Sequence, residues 1–168
     1  MLVYNPAFDI YHSVYRIILL LHYMKKEEVE LDRLRIWDFF LAFPFEASKI
    51  KFPTEYSDLR KIFKAEQNPY DEMLDSKKVF QKMKSFQISA LNCVAAYGLI
   101  EPELWREQKV SKIKKELPKE LQEKINNIPV KTQNIIKLLI GPFGEVDLLG
   151  DNGLKCRTGL IEFRYDSK

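Results

Sequence analysis

Residues 17–21 read Ile-Ile-Leu-Leu-Leu, and no other short stretch limits the fold of this chain as much. The run lies within VYRIILLLHYM, downstream of Asn5-Pro6. That pair suits a helix start, because Asn accepts from orphan N–H groups and Pro at the first helical position gives nothing up. The helix is expected to run to about Tyr23 and to end before the charged link KKEEVE. At ~100° per residue, five consecutive apolar side chains cover almost every direction, so a single core face cannot bury them. The helix must be central in the domain or half covered by another subunit.

A membrane does not supply the cover. The stretch 14–24 contains Arg16 and His22 and is shorter than the ~20 apolar residues of a span. The start MLVYNPAFD lacks the order of a signal peptide, so neither span nor export is expected. A chain of 168 residues, 46% hydrophobic and 30% charged, reads as one globular domain over 1–168 with a core of its own. Within it we read an N-terminal helix (1–28), a central core (29–117), and C-terminal helices with a closing segment (118–168). Cys93 and Cys156 have no metal-ligand spacing and suggest no disulfide framework, which fits a reducing cytoplasm.

The second helix is expected from Leu31 to Ala42, stopped by Pro44. Trp37, Phe39, Phe40, Leu41 and Phe43 crowd around Asp38, a carboxylate that needs a partner if buried; Arg16, Arg33 and Arg35 are available. A shorter helix follows from Thr54 or Glu55 to Ala65, and then NPYDEMLD, a turn region. The clearest helix is SKKVFQKMKSFQISALNCVAAYG, with Ser76 as its cap and Gly98 at a left-handed stop. Val79, Phe80, Met83, Ala90, Leu91, Val94 and Tyr97 share one face of it. Lys77, Lys78, Lys82 and Lys84 lie on the other side of its first half, where no acid interrupts them.

LIEPELWREQKV then reads as a strand, a tip and a return. The order helix, helix, long helix, two-stranded ribbon is that of a winged helix-turn-helix, so the expected class is mainly α (α+β) with a winged-helix-like core. Lys112 to Asn127 is a charged helical stretch broken by Pro118, and Val130 to Ile140 a helix stopped by Gly141-Pro142. The tail, NGLKCRTGLIEFRYD, lacks the spacing of a phosphate loop. With period two, Ile161, Phe163 and Tyr165 face one way and Leu160, Glu162 and Arg164 the other, as in a half-buried closing strand.

Chemistry is sparse. Asp9, His12 and Arg16 recur at helical spacing, but an acid at the helix start and local hydrogen bonds account for them better than catalysis. No catalytic residue, cofactor or metal site is expected. The net charge of +3 is too small to mark a nucleic-acid binder as a whole. The four lysines are candidates for DNA phosphate contact, weighed against an ordinary solvated face; no Arg or Asn pair is present there to read bases.

At YNPAFDIYHSVYRIILLL with LDRLRIWDFFLAFPF, and again at GLKCRTGLIEFRYD, the chain resembles the middle components of prokaryotic ABC three-component conflict systems, which include the small subunit of Lamassu-type anti-phage defence. The resemblance implies a winged helix-turn-helix adaptor without chemistry of its own. Its partners would be an SMC-like ABC ATPase and an effector, commonly a nuclease. Candidate partner contacts are Tyr11, Tyr15 and Leu19 on the first helix, and Arg157, Phe163, Arg164 and Tyr165 in the closing segment. Arg157 and Arg164 are expected to pair with acids in the domain or on the ATPase. The alternative is a winged-helix DNA-binding regulator using the lysine helix.

Overall fold

The apolar run is buried by the chain itself. A computed structural model, which describes residues 4–51, 54–65 and 75–162, places helix α1 (Ile10–Tyr23) at the centre, with Ile17 to Leu21 each at most 6% exposed. Its principal neighbour is the long helix α4 (Ser76–Ala96), followed by α2 (Leu31–Ala42); α7 (Val130–Ile140) also packs on it. The start of α1 is built in two steps. Asn5 accepts from the Ala7 N–H to cap a 3-10 turn at Pro6–Phe8, and Asp9 then accepts from the His12 N–H to cap α1 proper.

Helices α2 and α7 have the bounds the sequence predicts, and α3 (Ser57–Lys64) follows a 3-10 turn at Thr54–Tyr56. The turn region 68–75 lies outside the described residues except for Asp75. That residue, not Ser76, caps α4 by accepting from the Lys78 N–H. At the other end, Gly98 has φ +68°, the Gly98 N–H donates to Ala95 O and the Leu99 N–H to Val94 O. This paired closure needs the left-handed residue that glycine supplies. Tyr97 does not join the core face: as the last residue before that reversal it is 78% exposed.

The ribbon differs from the expected strand, tip and return. Pro102 at the first helical position starts a short helix, α5 (Pro102–Arg106), where the outgoing strand was expected. Only the return forms, as β2 (Lys109–Ser111), and it pairs antiparallel with β1 (Glu28–Glu30), inside the charged link KKEEVE. Val29 sits opposite Val110, both buried, while Lys109 reaches Glu28 at 2.8 Å on the wet side. One buried residue in β1 and two adjacent ones, Val110 and Ser111, in β2 give no period that can be read from sequence. The stretch Lys112 to Asn127 contributes one helix, α6 (Lys119–Asn126), which begins immediately after Pro118.

The closing segment is the second correction. After the single turn α8 (Pro142–Glu145), its start is helical, α9 (Leu154–Thr158), and Leu160 and Ile161 lie in bends, not in a strand. Residues 163–168 are outside the described part, so the strand expectation for Phe163, Arg164 and Tyr165 falls there. The helix forms because the backbone folds back just before it: the Leu154 N–H donates to Asp147 O and the Lys155 N–H to Leu148 O. A Cβ on Gly153 would stand 2.2 Å from Leu149 O, and Gly159 closes α9 at φ +64°. The two glycines of this string therefore serve a close backbone approach and a helix stop. Gly153→Ala is expected to destabilise the chain by about 1–3 kcal/mol, as overpacking does, read as a lower urea midpoint with an unchanged m-value.

Candidate interaction surfaces

The functional geometry starts from a buried network that fixes which faces remain outside. Asp38 is fully buried, and its partner is Arg16: Arg16 Nε donates to Oδ1 at 2.7 Å. Gln87 Nε2 donates to the other oxygen at 2.9 Å. Arg16 also donates to Pro6 O and Ser13 Oγ, so its guanidinium ties the 3-10 turn, α1 and α2 together. Gln87, on the core face of α4, accepts from Arg35 Nε at 3.0 Å. Arg35 lies over the Phe80 ring at 4.6 Å and reaches Asp32, whose other oxygen pairs with Lys155 of α9 at 3.2 Å. Burial pulls the Arg35 pKa below its ordinary value, with Asp32 opposing the shift. Arg33 takes a different set: Glu30 at 2.7 Å, with the carbonyls of Phe143 and Val146.

The orientation locked in this way leaves two surfaces with recognisable chemistry. The first is an open groove of about 920 Å³ between the outer side of α1 and α6. Tyr11, Tyr15 and Leu121 give it apolar area, and Glu120, Glu123 and Lys124 give it charge. Tyr11 is 82% exposed. Burial pushes the Tyr15 hydroxyl pKa up, and nearby Tyr23 adds to the shift; the Tyr23 hydroxyl itself donates to Ile125 O at 2.8 Å and pins α6 to α1. At the rim, His12 Nδ1 lies 3.0 Å from both Asp9 Oδ1 and the Tyr4 hydroxyl. The His12 backbone N–H and then its ring hold the Asp9 carboxyl below its usual pKa. Asp9 and His12 thus meet as their spacing predicts, while Arg16 turns inward to Asp38; the trio is a cap and a core pair.

The second surface is the outer face of α4, where Lys77, Lys78, Lys82 and Lys84 are all exposed. The remaining sequence candidates divide by placement. Leu19 is 1% exposed and belongs to the core of the chain. Arg157 donates to the carbonyls of Asn152 and Lys51, so its partners among the described residues are backbone oxygens. Gln87 and the Asp32–Lys155 link are the members of the network that the sequence reading missed. A polar residue on the apolar face of α4 was the one available signal for Gln87. Among the described residues no group of three or more His, Cys, Asp or Glu side chains is placed to hold a metal, and no helix is long and apolar enough to cross a membrane.

In class, the described chain is a mainly helical protein with one two-stranded antiparallel sheet. The family model for the ABC-three component (ABC-3C) system Middle Component 5 matches residues 2–166, and the chain belongs to that family. No curated protein and no solved structure matches it.

Proposed function

We propose that the chain is a non-catalytic adaptor of an anti-phage or anti-plasmid defence complex, working in the cytoplasm between an SMC-like ABC ATPase and an effector such as a nuclease. The observation that carries this reading is the family match over nearly the whole length, to a middle component of a multi-component system. The aromatic groove between α1 and α6 supports it, because the exposed Tyr11 and the half-buried Tyr15 beside a leucine and mixed charge have the composition of interface anchors. The order α1, β1, α2, α3, α4, α5, β2 is compatible with a reduced winged helix-turn-helix that carries α3 as an extra helix and in which α5 replaces one wing strand.

The decisive experiment is co-expression with the proteins encoded by the neighbouring genes, followed by gel filtration. A stoichiometric complex with a coiled-coil ATPase is the expected result. A chain that elutes alone as a homodimer and binds one operator sequence in a salt-dependent way would overturn the adaptor reading in favour of a regulator. In the complex, Tyr11→Ala combined with Tyr15→Ala is expected to weaken assembly at least tenfold with the circular dichroism spectrum unchanged, the size of effect truncated aromatic anchors produce.

A further inference from the structure

Four of the 27 Lys and Arg residues and none of the 24 Asp and Glu residues lie in α4. The helix therefore carries more than the whole +3 of the chain, and everything outside it sums to one negative charge. On a helix wheel the four lysines fall within an arc of about 160° at ~100° per residue, and at 1.5 Å per residue they span about 10 Å of axis. Gln81, Ser85, Ser89 and Asn92 continue the same exposed arc with neutral hydrogen-bonding groups. Lys78 reaches its own cap, Asp75, at 3.8 Å. Among the described residues no carboxylate pairs with Lys77, Lys82 or Lys84.

The tertiary structure lengthens this surface in a way the sequence does not show. Ser76 donates to Glu46, and the other oxygen of Glu46 pairs with Lys49 at 2.6 Å. Lys49 lines a groove of about 440 Å³ with Arg60, Lys61 and Lys64 of α3. Glu46 is nearly buried beneath these contacts; Asp58, which reaches Lys61 at 3.5 Å, is an exposed acid on this side. Cations from two segments distant in sequence are thus joined at the N-terminal end of α4.

We propose that the outer face of α4, extended by the α3 groove, docks the phosphate backbone of duplex DNA without choosing sequence. Charge complementarity carries the assignment. A duplex presents one negative charge per ~1.7 Å of axis, and phosphate oxygens accept from lysine, serine, glutamine and asparagine alike. No arginine lies on the α4 face to fork onto guanine, and Arg60 in the α3 groove commits its Nε to Ser48 O, so the contacts position without reading bases. This goes beyond the adaptor reading and does not depend on it.

The test is fluorescence anisotropy with the full chain and a labelled mixed-sequence 30-base-pair duplex at 50–200 mM KCl. The wild type is expected to bind with a steep salt dependence and equally to a scrambled duplex. Lys77→Glu with Lys84→Glu should weaken binding at least tenfold and flatten the slope of log K against log salt by about 0.9 per lost phosphate contact. Lys77→Arg with Lys84→Arg should restore both, and far-ultraviolet circular dichroism should not change in either variant. Unaltered DNA affinity in the charge-reversed variant, or tighter binding to duplex RNA, overturns the proposal. Partner assembly is measured on the same preparations. If charge reversal abolishes assembly and spares DNA binding, the face is a protein interface; if the wild type binds DNA but never assembles, the adaptor reading fails and this one stands.

Discussion

Asp38→Ala is expected to destabilise the chain by about 3–5 kcal/mol, the usual consequence of removing one partner from a buried ion pair. The side chain is fully buried, and its removal strands Arg16, itself 8% exposed, with a charge that no described acid replaces. Gln87 Nε2 retains Arg35 O at 3.1 Å but loses its carboxylate acceptor. Because folded domains rest on a margin of about 5–15 kcal/mol, the variant should melt far below the wild type or fail to accumulate. Asp38→Asn keeps the volume and removes the charge, so it should fall between the two. A double-mutant cycle with Arg16→Met separates the pair from its surroundings: Arg16→Met with Asp38→Ala should be less damaging than the sum of the single changes. Urea melts showing simple additivity would mean that the pair is not coupled, and the network as drawn would be wrong.

Truncation after Asp151 is expected to abolish cooperative folding, and with it any assembly. The deletion removes Leu154 and Leu160, 0% and 4% exposed, and the Lys155 ammonium that sits 3.2 Å from Asp32. Truncating one such leucine to alanine costs about 2–5 kcal/mol, so losing both approaches the whole margin of a small domain. Leu154→Ala, which keeps the chain length, should fold with a reduced urea midpoint and still assemble. That variant shows whether the segment acts through stability or through contact. A truncated chain with a sharp thermal transition at the wild-type temperature would refute the structural role of α9.

The sequence alone made much of the helical framework legible. The bounds of α2 and α7 follow from strong local signals: a crowded apolar stretch ended before Pro44, and a helical stretch ended by Gly141-Pro142. Gly98 was legible as a stop because few residues besides glycine close a helix in the left-handed region. Arg16 was one of three named partners for Asp38, and the structure selects it, since α1 and α2 meet where both side chains point inward. Membership of the middle-component family was legible in the strings at the two ends of the chain, and the family match now spans residues 2–166.

Decisions that join distant segments were not in the sequence. Strand β1 hid in a charged link because its pairing rests on one buried valine facing Val110, 81 positions away. The alternation over residues 160–165 suggested a closing strand and said nothing of what precedes it; the folded-back backbone at Gly153 makes 154–158 a helix that delivers Lys155 to Asp32. Ile17 to Leu21 posed the clearest case. Local physics required that the run be covered on every side, and allowed either this chain or a partner to do it. The tertiary fold assigns the covering to α2, α4 and α7, because the run is buried where their packed faces meet, while Tyr11 at the far end of the same helix is left in the open. Sequence fixes what each segment must bury; the packing of segments against one another decides what is left for others to bind.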